Sequence, residues 1–223
     1  MRLFLVIAIA WHQDHLHDEE RDGQIKFGHT MCNDFGNNIP YSDYLAAFSQ
    51  THIPVQWPSA APNIEPREDI WPTDPAPVIR RLEDGRNEFA ALRWGFPAAK
   101  PKGPPVINFR SEGRRFPVGR CLVPASHFFE FTGKKTPKSK WKFSKVGEDW
   151  FCFAGLWRPM PNGANDAFTL LTTAPGPDVA PIHDRQMIVL EREDWASWLD
   201  LTKPEATLLR PLPAGSLRVE QVR

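Results

Sequence analysis

Three cysteines in 223 residues, widely spaced and odd in number, make neither a disulfide framework nor a zinc-ligand pattern. Cys32, Cys121 and Cys152 instead fit a reducing, cytoplasmic setting, with buried thiols and room for one reactive one. Net charge is missing as well: 27 Lys and Arg face 27 Asp and Glu. A neutral chain is no non-specific coat for nucleic acid, although a local basic groove stays open to it. No apolar run is long enough to span a bilayer. The longest, Leu3 to Trp11, resembles a weak signal h-region after Arg2, but no small-x-small cleavage site follows. No membrane association is expected. Repeats and low-complexity segments are absent too, and the 12% aromatic content argues against disorder despite 23 prolines.

What is present is one chain long enough for a single sizeable core. Its charge is unevenly placed. From Lys100 to Lys145 there are twelve basic residues and only two acids, Glu112 and Glu130. Such a segment reads either as a phosphate-tracking surface, with Arg110, Arg114 and Arg115 among its cations, or as a solvated Lys-rich face.

From Met31 onward the pattern is compact and rich in short strands. Ser42 is placed to cap a short helix, Asp43 to Phe48. Pro54 to Pro77, dense in proline, reads as an irregular surface loop. Pro77 to Leu82 and Asn87 to Trp94 form a hairpin around Asp84-Gly85. Further strands are expected at Pro105–Arg110, Cys121–Pro124, Phe128–Thr132, Trp141–Ser144, Trp150–Leu156, Ala167–Thr173 and Met187–Leu190, then a short amphipathic helix, Glu191–Leu199. The fold class is therefore α+β, a mostly antiparallel, barrel-like sheet with a few short helices.

Residues 1–30 read differently. His12, His15 and His17 with Asp14 and Asp18 are metal-ligand types, but nothing orders them or supplies a second shell, so no metal and no cofactor is expected. Residues 1–30 are best taken as an extension, from a mis-assigned start or removed, before a domain of residues 31–223.

Four segments carry candidate chemistry: Met31-Cys32-Asn33, Asn108-Phe109-Arg110-Ser111-Glu112, His127-Phe128-Phe129-Glu130-Phe131 and His183-Asp184-Arg185. Taken alone, each has a plain reading. Cys32 would be a small buried hydrophobe, His183 a structural histidine, Asn108 a turn cap and Arg110 a surface cation. On a two-residue period Glu130 shares a face with Phe128, which would desolvate it and suit it to acid–base work. The plainer alternative pairs it with a nearby Lys or Arg.

In this order, with Trp94-Gly95-Phe96 before the second, these segments resemble the SOS-response-associated peptidase (SRAP) family, over roughly Met31 to Leu199. The resemblance implies a protein that attaches covalently to abasic sites in single-stranded DNA, shielding them in the DNA damage response. Cys32 would be the nucleophile and, after loss of Met31, the N-terminal residue. Asn108 would position amine and sugar, and Arg110 would hold a phosphate. Glu130 would shuttle protons at the opened sugar, His183 would be the second acid–base group, and Arg185 a further backbone contact. Arg114 and Arg115 join them as candidate DNA-binding residues. Trp94, Phe96 and Phe131 would stack on unpaired bases or belong to the core. The protein would act as a monomer, nucleoid-associated when bound to DNA.

The chemistry agrees. An abasic site opens to an aldehyde. An α-amine, with a pKa of about 7.7–8, keeps a neutral fraction near pH 7 far larger than lysine's and can form a Schiff base. The thiol of the same residue then closes a five-membered thiazolidine. An internal cysteine gives only a reversible hemithioacetal, so Cys32 must lead the chain. The pattern departs from the family at Asn33-Asp34 (often Gly-Arg), Phe109 (often Ala), Phe131 (often Trp) and Gln186-Met187 (often Met-Pro). Two other classes stay open: a thiol peptidase or hydrolase using Cys32, His183 and Glu130, which would tolerate an internal cysteine, and a non-covalent nucleic-acid-binding module that would survive loss of Cys32.

Overall fold

The computed structural model describes residues 33–59, 65–98, 100, 102–134, 136–160 and 166–223. In chain order these form β1 (Phe35–Asn37), α1 (Tyr41–Gln50), β2 (Val55–Gln56), β3 (Arg67–Ile70), β4 (Pro75–Arg81), β5 (Asn87–Trp94), β6 (Asn108–Arg110), β7 (Arg120–Ala125), β8 (His127–Thr132), β9 (Ser139–Lys145), β10 (Phe151–Arg158), β11 (Ala167–Thr173), β12 (Gln186–Met187) and β13 (Val189–Leu190). A 3-10 turn at Arg192–Asp194 leads into α2 (Trp195–Asp200), followed by α3 (Glu205–Leu208) and β14 (Leu217–Gln221). The class is α+β, with mostly antiparallel ladders and few, short helices.

One sheet runs β14-β9-β8-β1-β3, antiparallel throughout. In the other, ladders pass from β4 to β5, β11, β10, β7 and back to β4, so the pairing closes in a ring. The β5–β11 ladder in that ring is parallel, as are β6 on β11 and β2 on β5.

The ring explains why β7, β10 and β11 read as continuous apolar runs and not as alternation: both of their faces are covered. Along β7, Cys121 and Val123 face a core shared with Trp94, Phe153, Phe168 and, from the five-stranded sheet, Phe35, Phe128 and Phe143. Leu122 faces the opposite core, where Tyr44, Phe48, Trp195 and Trp198 of the helices pack. The β4–β5 hairpin turns at Gly85, whose φ of +85° is open to glycine without strain.

Several expectations are corrected. Ser42 is not the helix cap: α1 begins at Tyr41 after Pro40, and the Ser42 hydroxyl lies 3.2 Å from Asp43 Oδ1. The proline-rich stretch 54–77 is not all loop, since it holds β2, β3 and the start of β4. The expected strand Met187–Leu190 is broken at Ile188, whose backbone is shared between β10 and β11. The Cys32 and residue 1–30 expectations, including His12, His15, His17, Asp14 and Asp18, lie outside the described residues.

Candidate functional site

Strand β8 is the centre of the candidate site. Its Phe128 stacks on Phe143 and meets Phe153 in the core, so by alternation Glu130 points to the same side, where it is fully buried. Opposite it stands His183, also buried, with Nε2 3.8 Å from Glu130 Oε2. His183 is delivered by a turn after β11, closed by backbone bonds from Ile182 and His183 N–H to Val179 O. Gln186 Oε1 ties that turn down by accepting the Gly176 N–H at 2.6 Å.

The ring nitrogens of His183 are distinguished by their partners. Nδ1 lies 3.1 Å from Arg185 N and 2.9 Å from Arg185 O. Which of the two Nδ1 engages depends on the ring's tautomer, while Nε2 faces Glu130.

Asn108 and Arg110 lie on β6, which runs parallel to β11 with Leu170 opposite Asn108 and Thr172 opposite Arg110. Asn108 is buried, while Arg110 is exposed and makes no ion pair among the described residues. Past the strand, Ser111 N–H donates to Thr172 O. Glu112 then meets Arg185 through both carboxylate oxygens, at 2.5 and 2.9 Å. The Arg185 hydrogen bonds hold the Glu112 carboxyl well below its ordinary range, at about 2.

Trp94 is a correction. It is fully buried, edge-on to Phe35 and stacked on Phe168, with Nε1 donating to Ile107 O at 3.0 Å. It is core and cannot stack on a base; Phe96, buried under Arg158, is core as well. Phe131 is half-buried, with Lys140 Nζ 5.8 Å and the Arg223 guanidinium 6.0 Å from its ring.

The basic middle does not form one continuous surface. Arg120 is buried and donates to the carbonyls of Leu199, Phe116 and Pro117. Lys145 is spent on Glu148 and Glu191, and Lys142 on Glu68. Arg114 and Arg115 do remain exposed, and line a groove of about 830 Å³ with Ser111, Lys203 and Glu205, beside the Glu112–Arg185 pair.

Sequence reasoning gave Asp34 no role, yet it is a fully buried carboxylate at the start of β1. Its backbone O accepts the Phe129 N–H, and Lys140 Nζ stands 2.9 Å from its Oδ2. Lys140 also binds Asp69. Burial pushes the Asp34 carboxyl up to about 7, with Lys140 opposing. Nothing in a Cys-Asn-Asp string marks such a residue as buried. Among the described residues no group of three or more His, Cys, Asp or Glu could hold a metal ion, and no helix is long and apolar enough to cross a membrane.

These features meet a known fold. The family model described as SOS response associated peptidase (SRAP) matches residues 31–223, and the chain belongs to that family. Among its relatives is abasic site processing protein YobE of Bacillus subtilis strain 168, 28% identical over 215 residues, covering 86% of this chain and 94% of the relative. YoqW and YoaM of the same strain are also 28% identical, and both carry the name abasic site processing protein. Among solved structures, a phage-related protein of Bordetella bronchiseptica matches with TM-score 0.65 at 24% identity, covering 86% of this chain and 94% of that one. A second protein of the same species gives TM-score 0.64 at 22% identity, with 86% and 100% covered. At those identities the likeness is one of fold.

Proposed function

We propose that this protein processes abasic sites in single-stranded DNA by covalent attachment through Cys32, once Cys32 is the N-terminal residue of the domain beginning at Met31. The observation that carries the reading is the buried Glu130 with His183 Nε2 3.8 Å away. This is an acid–base pair built at the sheet whose first strand follows Cys32 in the chain. The names of the relatives point to the same substrate.

In this mechanism the neutral α-amine of Cys32 attacks the aldehyde carbon of the opened sugar. Glu130 delivers a proton to the ring oxygen as the sugar opens, and takes part in the proton transfers that release one water and leave the imine. The Cys32 thiol then adds across the C=N bond. Sulfur bonds to carbon, the thiol proton passes to nitrogen, and the thiazolidine ring closes without oxidant or cofactor. His183 exchanges protons with Glu130 and the sugar through Nε2. Asn108, buried at the head of β6, orients amine and sugar. Arg110 presents its guanidinium fork to a phosphate. Arg114 and Arg115 carry the flanking strand along their groove, and Phe131 offers a partly exposed ring to a base. The cross-link shields the lesion from strand cleavage.

The test is a denaturing gel of a labelled single strand with one abasic site. The chain starting at Cys32 should give a shifted band that survives denaturation. Cys32→Ala and the chain starting at Met1 should not. No such band from protein whose mass confirms a Cys32 start would sink the reading. The thiol-peptidase alternative, which the family's name keeps in view, predicts instead that the Met1 chain hydrolyses peptide or ester substrates as well as the shorter one.

A further inference from the structure

Glu112 ends the Asn108–Glu112 segment, and the chemistry above gives it no task. We propose that Glu112 is a positioning residue: it grips the Arg185 guanidinium and thereby holds the His183 imidazole against Glu130. Arg185 is then a strut inside the protein. The inference takes from the abasic-site reading only the importance of His183.

The connection can be followed bond by bond. Glu112 Oε1 accepts the Ala174 N–H at 2.9 Å, so the carboxylate is anchored to the end of β11. Both its oxygens then engage Arg185, at Nη1 and Nη2, in the two-pronged arrangement that fixes a guanidinium in direction as well as distance. Nη2 also donates to Thr172 Oγ1 at 3.1 Å, on the β11 residue opposite Arg110. The Arg185 side chain is mostly buried, 13% exposed. Its backbone is what His183 Nδ1 touches, at N and at O. Fixing the Arg185 head therefore fixes the peptide that orients the imidazole, whose far nitrogen faces Glu130.

The clamp does not titrate in the working range, because Arg185 keeps the Glu112 carboxyl ionised down to about pH 2. Replacing it by an uncharged amide, Glu112→Gln, is thus the informative change. Arg185→Lys keeps the charge but loses the fork, and serves as the second variant should the first misfold.

The experiment uses the full Met1–Arg223 chain labelled with ¹⁵N, reading the two-bond ¹⁵N–¹H signals of the His183 ring. Wild type should show the pattern of one tautomer, and both variants should move toward the averaged pattern, with Nδ1 and Nε2 shifts converging. In the Cys32-start protein, cross-linking should slow by about ten- to a hundred-fold, the scale of a misplaced catalytic group. Unchanged His183 signals in Glu112→Gln would overturn the proposal. A wild-type protein that never cross-links sinks the abasic-site reading alone, because the ring signals still decide whether the clamp exists.

Discussion

Asp34→Asn should remove a pH dependence of stability that wild type carries between about pH 4 and 7. Asp34 is fully buried, and its carboxyl is raised by that burial from 3.8 to about 7. The folded state therefore keeps a proton that the unfolded chain gives up near pH 4. Over that window the unfolded state binds one proton fewer, so stability falls as pH rises, by about 1.4 kcal/mol per unit. Across some three units the loss approaches roughly 4 kcal/mol, complete once the pH passes the folded value. The charged groups facing Asp34 do not cancel this. Lys140 of β9, 2.9 Å away, is held charged because its bonds to Asp69 and Asp34 outweigh its own burial. Burial raises the Asp69 carboxyl of β3, but its bonds to Lys140 and Asp34 together outweigh that and lower it, so it titrates below the window. His127 of β8 is lowered by burial, so its contribution runs the other way: it is present above the unfolded value and lost as the pH falls. It is common to both proteins and drops out of the difference. Asparagine offers its amide N–H to Asp69 as the protonated acid would, so the mutant mimics the low-pH form. Urea denaturation of both proteins at pH 5, 6, 7 and 8 is the assay. The variant should overtake wild type as the pH rises, and parallel stability curves would refute the reasoning.

Four further outcomes follow. Trp94→Ala should cost about 3–5 kcal/mol in denaturant unfolding, as expected for a fully buried indole in the shared core, and substitution by Phe should recover part of it. Gly36→Ala should destabilise by about 1–3 kcal/mol, because the new methyl would collide with the His127 ring and with Glu68 O in a closely packed strand pair; a thermal melt measures it. Arg114→Ala and Arg115→Ala should each flatten the salt dependence of single-strand binding by about 0.7 in slope if the groove carries phosphates. Cys121 and Cys152 should resist alkylation in the native protein at pH 8, since burial is the main cause raising both thiols; mass spectrometry after brief labelling reads it.

The strands lying in apolar runs were legible in the sequence, most clearly β11, whose ends match the expected Ala167–Thr173. The hairpin at Gly85 was legible because its turn chemistry is local. What escaped was set by distant partners. Arg67–Ile70 carries charge where alternation would show apolar residues, and is a strand because β1 pairs with it. β1 itself, Phe-Gly-Asn, is too short for any period. The basic middle misled for a related reason. Neighbours in sequence are not neighbours on the surface, so Arg120 went inside while Lys140 and Lys142 met Asp69 and Glu68 across the sheet. Trp94 was ambiguous between base stacking and core because nothing local tells a strand inside a closed ring from an exposed one. Within the candidate site, Glu130 and His183 were singled out in the sequence, His183 only through the family resemblance. The distance joining them, and the Glu112–Arg185 clamp, belong to the tertiary structure.

The two buried carboxylates at this end of the molecule owe their different surroundings to strand alternation alone. Glu130 shares its face of β8 with Phe128 and meets His183. Asp34 meets Lys140, whose ammonium lies 3.6 Å from the Phe129 ring centroid on the opposite face. A slip of one residue between β1 and β8 would exchange these environments, placing Glu130 against a lysine and Phe129 in the core. The register is held by Phe35 opposite Phe128, by Gly36 opposite His127, and by the Phe129 N–H on Asp34 O. Asn37 adds a bond from Nδ2 to Pro124 O at 3.0 Å. Most of these restraints are structural in kind, yet each decides which carboxylate stands beside the histidine. The surroundings of Glu130 are thus specified as much by the three residues of β1 as by Glu130 itself.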